Sequence, residues 1–456
     1  MAGFPYDSEF DVVVAGGGVS GSAAAVTAAR CGARVLVVEQ AGYLGGTLTA
    51  CGVGPMMTFH AGDRQVIRGF MQEVVDRLVE GGWSPGHVPD TKQYTSTITP
   101  FDAEGLKLVL DRLAAGAGCR VLFHTFVGAV ERDGDRIASL TLANKDGLRR
   151  VRARVFVDAT GDGDIAAWAG APMTKGRPED GAAQPMTMKM KYCCVDTAAL
   201  KRHMLDNIRR FPALEPHAEL LRRDIPMDLE GFEEEFRAAK AAGELSIARE
   251  NVLAFGTGRP GEYIINTTRI IDHDATDALS LSDAEMAGRR QCAELDAFLR
   301  RHVPGFADAL LEFTGPSVGV RGSRQLVGRY TLTADDILAR KRFTSVIAHS
   351  GYPIDIHNPK GEGTSSTFMA EPGGYYSIPY EILFTDSVAN LLVAGRAASA
   401  TFEAQASIRL TPSAGAMGQA GGVAAAMAAK NGGDVRDVDT GILQKTLLEQ
   451  GAYLDL

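Results

Sequence analysis

Residues 10–39 read FDVVVAGGGVSGSAAAVTAARCGARVLVVE, and this stretch alternates apolar runs with a glycine-rich turn. The apolar run that ends at Ala15 predicts a strand, and the small residues from Ser22 to Arg30 predict a helix. A second apolar run, Arg34 to Val38, predicts another strand and ends on Glu39. The order strand, glycine turn, helix, strand, acid is typical of a unit that binds a dinucleotide.

The residues of this unit have separate physical tasks. Gly16 permits the tight turn, Gly18 lets a pyrophosphate approach the backbone, and Gly21 lets the helix pack against the strand. The helix N-terminus presents N–H groups and positive potential to the phosphates. Glu39 can accept hydrogen bonds from ribose hydroxyls, which favours a ribose without a 2′-phosphate. We expect this unit to contact the cofactor through Gly16, Gly18, Ser20, Gly21, Glu39 and Gln40.

The composition of the chain excludes several classes of function. The chain has 456 residues, 45% of them hydrophobic, and a formal net charge of −9. That length allows roughly two to three domains, and the acidic balance disfavours nucleic acid as a partner. Six sparse cysteines show no zinc spacing, so no metal site is predicted. The first ten residues do not resemble a secretory signal, and no apolar run is long enough for a membrane span, so we expect a cytoplasmic protein.

Three later segments distinguish FAD from NAD. Gly45-Gly46-Thr47 offers a second close backbone approach soon after Glu39. A predicted strand ends at Asp158 and leads into a tight turn, and another ends near Gly395 before a glycine-rich helix start at residues 415–422. Such a helix start could offer positive potential to the flavin pyrimidine. The expected FAD contacts in these segments are Gly46, Thr47, Ala159, Thr160, Gly161, Asp162, Gly395, Arg396, Gly418, Gln419 and Ala420.

At this point the chain resembles the FAD-dependent oxidoreductase family that is related to glutathione-reductase-like and succinate-dehydrogenase-like flavoproteins. The blocks that carry the resemblance span nearly the whole chain: VVVAGGGVSGSAAAVTAAR, VVEQAGYLGGTLT, VFVDATGDGDIAAWAG, GVRGSRQLVGRYTLT, GYPIDIHNP, YYSIPYEILF and NLLVAGRAASATFEAQASIRLTPSAGAMGQAGG. The resemblance implies FAD as cofactor and leaves the substrate open. Flavoproteins of this kind often bind adenine through a backbone contact, which the resemblance places at Val127.

The expected fold class is α/β, with a discontinuous Rossmann-like FAD-binding domain and an inserted α+β substrate or cap domain. Because glycine turns lie near both ends of the chain, the FAD-binding domain is expected at residues 1–175 and 375–440. The insert is expected at residues 176–374, and residues 441–456 are expected to form a C-terminal tail with a surface helix and loose ends. Within the insert, the patterns predict helices at residues 198–210, 230–242 and 282–302 and a strand at residues 261–270.

The absence of two motifs limits the reactions that the sequence predicts. Glutathione-reductase-type enzymes hold a disulfide just after the GGT turn, but only Cys51 is present here. Cys51 is interpreted as a small residue packed under the cofactor, and a lone redox thiol or a flavin attachment point are the open alternatives. We expect FAD to be bound non-covalently. Since no second glycine fingerprint of comparable quality exists, a dedicated NAD(P)H domain is not predicted. The external electron donor or acceptor and the oligomeric state stay open.

A flavin enzyme must hold a substrate carbon over the flavin and move one proton. His357 is the predicted general acid or base, because its ordinary pKa is about 6.5 and strand alternation places it on one face with Asp355. Arg409 is expected to bind a substrate carboxylate or to stabilise charge on the reduced flavin. Tyr376 is expected to line the pocket. A structural role is an open alternative for each of them.

The leading hypothesis is a flavin oxidoreductase that acts on a small organic molecule. It would transfer a hydride between flavin N5 and the substrate, in CH–OH or CH–CH oxidation or in C=C reduction. A flavoprotein that uses FAD without net redox, as a hydratase or isomerase, is the first alternative. An RNA-modifying flavoprotein is the second, and the acidic charge with no basic stripe counts against it.

Overall fold

The computed structural model of the chain describes Tyr6, residues 9–223 and residues 225–456. Most of the N-terminal stretch compared above with a secretory signal therefore lies outside the described residues. Within the described part, no helix combines the length and the apolar character needed to cross a bilayer.

The strands, numbered along the described chain, are β1 Glu9–Ala15, β2 Val35–Val38, β3 His60–Ala61, β4 Arg64–Gln65, β5 Val88–Pro89, β6 Thr97–Ile98, β7 Arg120–Leu122, β8 Phe126–Asp133, β9 Arg136–Asn144, β10 Gly147–Asp158, β11 Met173–Lys175, β12 Met190–Cys193, β13 Asp228–Gly231, β14 Val252–Gly256, β15 Tyr263–Ile265, β16 Leu310–Thr314, β17 Arg324–Leu326, β18 Val346–Ser350, β19 Ile354–His357, β20 Thr364–Thr367, β21 Tyr376–Pro379 and β22 Leu391–Val393.

The α-helices are α1 Val19–Arg30, α2 Thr47–Ala50, α3 Phe70–Glu80, α4 Ala103–Gly116, α5 Asp164–Trp168, α6 Thr197–Asp206, α7 Ala218–Leu221, α8 Glu233–Ala241, α9 Ala278–His302, α10 Ala334–Leu338, α11 Phe402–Ile408, α12 Thr411–Lys430 and α13 Thr440–Glu449. Short 3-10 helices lie at Ile208–Arg210, Glu215–His217, Tyr380–Leu383 and Val435–Asp437.

The main sheet confirms the predicted α/β class. Its strand order is β7-β2-β1-β10-β9-β8, and β22 pairs with β10. Strands β7, β2, β1, β10 and β22 run parallel, so their carboxyl ends share one edge. Val14 of β1 pairs with Val37 on one side and with Val157 on the other, and all three are buried. Parallel strands are covered on both faces, which is why these strands are apolar throughout.

Helices α1 and α12 pack closely because both carry small residues at their contact. A Cβ atom on Gly418 would lie 2.2 Å from the Ser20 carbonyl oxygen, and one on Gly422 would lie 2.1 Å from that of Ala24. Both glycines are buried inside α12, which begins at Thr411 rather than at the predicted residues 415–422. The glycine-rich segment is therefore a helix–helix contact in the body of α12.

Residues that lie between β10 and β22 in the sequence form a second hydrophobic core. The antiparallel sheet β13-β14-β15-β12-β16 packs with α9, and its buried side chains run from Met186 to Val318. Residues such as Leu332 and Ile354 instead belong to the core of the main sheet. The second core is thus formed by residues within the expected insert of residues 176–374.

The C-terminal tail differs from the expected loose end. Helix α13 is followed by residues that return to the main core, where Leu454 is buried. The Asp455 backbone N–H donates to His349 Nε2 at 3.0 Å, and the Tyr375 hydroxyl donates to the Asp455 carboxylate at 2.6 Å. These bonds fix the tail against β18 and the loop before β21.

Candidate active site

One cleft of about 910 Å³ lies at the shared carboxyl edge of the parallel strands and reaches the sheet of the insert. It begins at Gly16, Glu39, Ala159 and Ala394, the residues that directly follow β1, β2, β10 and β22. This edge is where open parallel sheets bind ligands, because the strand order reverses there.

The turns at this edge leave room for a ligand against bare backbone. Gly16 has a φ of +93°, and a Cβ there would lie 2.4 Å from the Ala159 carbonyl oxygen. Gly46 has a φ of +54°, and a Cβ on it would lie 2.8 Å from Gly18 Cα. Both positions therefore require glycine, and the two turns together form a cradle that a phosphate chain could enter. We call Gly16, Gly18, Glu39, Gly46 and Gly395 the glycine end of the cleft.

Glu39 stabilises the first turn. Its two carboxylate oxygens accept hydrogen bonds from Gly17 N at 2.6 Å and from Ala41 N at 2.7 Å. Burial raises the pKa of Glu39, and the two backbone N–H groups oppose that shift. Each carboxylate oxygen has a further lone pair, so the side chain can also accept hydrogen bonds from a ribose.

The strand β22 supplies the other wall of the glycine end. Gly395 has a φ of +96°, and a Cβ there would lie 2.5 Å from Ser20 Oγ. Arg396 Nη2 pairs with Asp162 Oδ1 at 3.0 Å. The buried Arg396 Nε has no hydrogen-bond partner among the described residues, so it is a donor available to a bound group. A bare backbone cradle, a ribose acceptor and an orphaned donor together fit FAD.

Most of the residues expected to bind FAD line this cleft. These are Gly16, Gly18, Ser20, Glu39, Gln40, Gly46, Thr47, Val127, Ala159, Thr160, Gly161, Asp162, Gly395 and Arg396. Gly21 packs α1 against the turn instead, since a Cβ there would lie 1.8 Å from the Gly16 carbonyl oxygen.

The three residues of α12 that were expected to contact FAD do not line the cleft. Gly418, Gln419 and Ala420 lie in the buried body of the helix, and Gln419 Oε1 accepts a hydrogen bond from Phe70 N at 3.0 Å. The residues of α12 that line the cleft are Thr411 and Ala414, in its first turn. Pro412 was the available signal, because proline is favoured in the first turn of a helix.

The opposite end of the cleft brings His357 and Arg409 together around Asp355. His357 Nε2 lies 3.4 Å from Asp355 Oδ2, and Arg409 Nη2 lies 3.6 Å from the same oxygen. Burial would raise the pKa of Asp355, but the His357 ring and the charges of Arg409 and Arg321 hold it well below its usual range. Burial and the charge of Arg321 lower the pKa of His357 to about 3. At neutral pH the pair is therefore a carboxylate and a neutral imidazole.

The hydrogen bonds of His357 limit its expected role. Its Nε2 faces Asp355, while its Nδ1 lies 3.2 Å from Thr364 Oγ1 and 3.4 Å from Arg269 Nη2. Both ring nitrogens thus have protein partners. The side chain is poorly placed to exchange a proton with a substrate and well placed to orient Asp355.

Tyr376 is buried in the core and does not line the cleft. Its hydroxyl hydrogen-bonds to Ser407 Oγ at 2.6 Å. Two other tyrosines line the cleft instead: Tyr352, whose hydroxyl donates to Asp355 Oδ2 at 3.3 Å, and Tyr94, whose hydroxyl lies 2.8 Å from Ser366 Oγ. Sequence reasoning missed both, although Tyr352 is only three residues from Asp355.

The insert also contributes three cations, of which sequence reasoning missed Lys189 and Arg249 and gave Arg321 only as a weaker candidate, paired with Arg324. Lys189, Arg249 and Arg321 line the cleft near Asp355 and Arg409, and these five residues are called the insert end. No local motif distinguishes the three from surface basic residues. The pattern that could have drawn attention is that Lys189 precedes β12 in a run of alternating methionines, Met186, Met188 and Met190.

Cys51 lies between the two ends of the cleft. Its thiol is buried and donates to the Val318 carbonyl oxygen at 3.3 Å. Burial raises the pKa of Cys51, so the side chain is a neutral thiol. A neutral, hydrogen-bonded thiol is a weak nucleophile, which agrees with its interpretation as a packing residue.

Comparison with known proteins identifies the family whose sequence model the chain matches. The sequence model of the family described as FAD dependent oxidoreductase matches residues 11–447. A digeranylgeranylglycerophospholipid reductase of Methanopyrus kandleri is 30% identical over 161 residues, which is 34% of this chain and 38% of that protein. A menaquinone reductase of Mycobacterium tuberculosis is 33% identical over 148 residues, 30% of this chain and 35% of that protein.

These matches cover little more than a third of the length of either curated relative. Among solved structures, a geranylgeranyl bacteriochlorophyll reductase-like protein of Thermoplasma acidophilum aligns with a TM-score of 0.47 and 14% identity. That alignment covers 98% of this chain and 84% of the other.

Proposed function

The chain belongs to the FAD dependent oxidoreductase family, and we propose that it transfers a hydride between FAD and a small organic molecule bound at the insert end of the cleft. The observation that carries the proposal is the continuity of the cleft. A backbone cradle for a dinucleotide and a set of charged and hydroxyl side chains line the same space, with Cys51 between them.

We propose that the glycine end holds FAD. Gly16, Gly18 and Gly46 leave backbone exposed for the pyrophosphate, and Glu39 accepts hydrogen bonds from the adenosine ribose. Arg396 offers its free Nε as a donor. When bound, FAD supplies the hydride acceptor or donor.

The insert end would bind and orient the substrate. We propose that Arg409 pairs a substrate carboxylate, since its Nε is buried and has no hydrogen-bond partner in the described chain. The Tyr352 hydroxyl lines the cleft and donates to Asp355, the carboxylate that pairs with Arg409. Its pKa is raised well above its usual range by burial and by the charge of Asp355, so it stays protonated at neutral pH.

The decisive experiment is anaerobic titration of the purified yellow protein with a panel of metabolites while flavin absorbance is recorded. We expect one class of small molecule to bleach the flavin, and dithionite defines complete reduction. Tyr352→Phe should retain FAD and slow the bleaching. A wild-type protein that is purified without flavin, or that turns substrate over with no electron acceptor and no bleaching, would refute the proposal.

His357 needs its own test, because a proton-exchanging role and a positioning role predict different rates of flavin reduction in the same two variants. If His357 is a general base, His357→Ala and His357→Gln should both lower the rate of flavin reduction roughly 10²–10⁴-fold. We propose the positioning role, in which His357→Gln keeps a donor toward Asp355 and recovers most of the rate lost in His357→Ala. Equal losses in the two variants would show that the imidazole itself moves the proton.

A further inference from the structure

Three cations at the insert end are buried or deep in the cleft without an acidic partner. Lys189 and Arg249 are each 6% exposed, and Arg321 lines the same space. In the part of the chain that the structure describes, none of the three forms an ion pair with a carboxylate. Arg249 Nε hydrogen-bonds only to Asn251 Oδ1 at 3.2 Å, and Arg321 donates to the Pro185 carbonyl oxygen.

The acidic groups nearby offset these charges only in part: Glu230, Glu250 and Asp355 act on Arg249, and Asp355 acts on Arg321, but most of the carboxylates along the cleft are paired with other cations. The pairs are Lys92 with Glu230, Arg396 with Asp162, Arg324 with Asp164, Arg289 with Glu285 and Arg409 with Asp355. Glu39 lies at the glycine end and holds backbone N–H groups. The insert end therefore carries an excess of positive charge.

This excess is unfavourable in the protein alone. Burial and the charges of Arg321 and Arg249 hold the pKa of Lys189 well below its usual range. Burial and the charges of Arg409 and Arg269 act in the same direction on the pKa of Arg321, and burial and Arg269 lower that of Arg249 to about 10. Buried charges of one sign are retained in proteins where a partner compensates them, and the charge that the carboxylates of the chain leave uncompensated here calls for an anion from outside the chain.

The missing partner is distinct from the FAD pyrophosphate. The phosphate cradle is formed by Gly16, Gly18 and Gly46, next to Arg396. The three cations come from the insert and line the cleft together with Cys51, whose thiol contacts the Val318 carbonyl. An anion between them would lie in the part of the cleft left for a substrate.

We propose that the substrate is a small organic polyanion, with two or more negative charges on carboxylate or phosphate groups, held by Lys189, Arg249 and Arg321. The number of charges follows from the number of unpaired cations, because a single carboxylate would leave two of them uncompensated. Arg409 would contact the same anion through its unpartnered Nε. The inference rests on the proposed function in identifying this ligand as the substrate.

Binding can be measured without turnover, from the change in the flavin spectrum of the FAD-loaded protein. The probes are propane-1,2,3-tricarboxylate, succinate, glycerol 2-phosphate and, as a neutral control, succinamide. We expect saturable binding of the anions and none of succinamide. Tighter binding of the carboxylates or of glycerol 2-phosphate assigns the charged group.

Variants then connect the binding to the three cations. Lys189→Met and Arg321→Gln should each weaken binding of the best anion by roughly 10- to 150-fold, the loss expected for a charged hydrogen bond. Arg329→Gln is the matched control, because Arg329 pairs with Asp386 at 2.6 Å on the surface, away from the cleft. It should leave the affinity unchanged.

Stability separates a ligand-binding cation from a structural one. In the protein without anion, Lys189→Met should raise the melting temperature, since it removes a buried charge with no partner. A lysine that only supports the fold would lower the melting temperature when replaced. If Lys189→Met does not fold, Arg249→Gln supplies the same comparison.

The proposal is overturned if no anion of the set binds, if succinamide binds as tightly as succinate, or if affinity is unchanged in both Lys189→Met and Arg321→Gln. These outcomes are separable from failure of the proposed function. Anion binding together with a flavin that no metabolite reduces would retain the anion site and reject the redox role. Flavin reduction by a neutral metabolite, with no anion bound, would retain the redox role and reject the anion site.

Discussion

Replacing Glu39 by alanine should weaken FAD binding and destabilise the glycine turn at the same time. The carboxylate accepts hydrogen bonds from Gly17 N at 2.6 Å and from Ala41 N at 2.7 Å, and the residue lines the cleft. The variant therefore loses two contacts that exist without FAD and the contacts that FAD would add. The two losses can be measured separately.

The magnitudes follow from the contacts. Loss of a hydrogen bond to a charged acceptor costs about 1–3 kcal/mol, so the dissociation constant for FAD should rise roughly 5- to 150-fold. The two backbone N–H groups lose their acceptor in the protein without FAD, but water can reach them from the cleft. We therefore take about 1 kcal/mol for each and expect the free energy of unfolding to fall by about 2 kcal/mol.

The affinity is measured by titrating apoprotein with FAD and following the quenching of flavin fluorescence, and the stability by urea unfolding of the apoprotein. Asp439→Ala is the matched control, because Asp439 accepts a hydrogen bond from Ile442 N at the start of α13, away from the cleft. It should cost about 1 kcal/mol in stability and nothing in FAD affinity. An unchanged FAD affinity in Glu39→Ala would refute the assignment of the ribose acceptor.

Three further predictions concern other parts of the molecule. Burial and the charge of Asp90 raise the pKa of Asp228 well above its usual range, so the contribution of Asp228 to stability should fall as pH rises from about 4. Asp228→Asn should therefore melt higher than the wild type, by a margin that grows with pH; a constant margin would contradict this. FAD should be released by acid precipitation from both wild type and Cys51→Ala, and yellow colour kept in the wild-type pellet but lost in the variant would show covalent attachment. Gly422→Ala places a Cβ 2.1 Å from the Ala24 carbonyl oxygen and should cost about 1–3 kcal/mol, while Gly116→Ala, with no heavy atom within 4 Å, should be neutral or stabilising.

The sequence was most informative where a residue type is required by backbone geometry. Gly16, Gly46 and Gly395 all have positive φ, and Gly16 and Gly395 lie at the carboxyl edge of the main sheet, as their positions after apolar runs predicted. The sequence was less informative for the glycines of α12, which lie inside a helix and have no special backbone conformation. A glycine that permits a ligand and a glycine that permits a neighbouring helix look the same in one sequence, so the packing of Gly418 and Gly422 against α1 could not be predicted.

The insert end was harder to predict because it is assembled from distant segments. Lys189, Arg249 and Arg321 lie before or after strands of the second core, and each is unremarkable in its own neighbourhood. Only their shared burial makes them informative, and burial depends on the packing of the insert against the main sheet. His357 and Asp355 were related correctly by strand alternation, but the partners on both nitrogens of His357 could not be foreseen.

The pairing of β10 with β22 has a consequence for how the chain folds during synthesis. Phe156, Val157 and Asp158 pair with Leu391, Leu392 and Val393, so more than half of the chain is made between the two strands. Until residue 393 leaves the ribosome, β10 has an open backbone edge where β22 will pair, and such edges recruit strands from other chains. Because Gly395 and Arg396 arrive with β22, the cofactor site is completed only after the insert has emerged. A supply of free FAD would then act late, on a nearly complete chain, by capturing the state in which this last strand has docked.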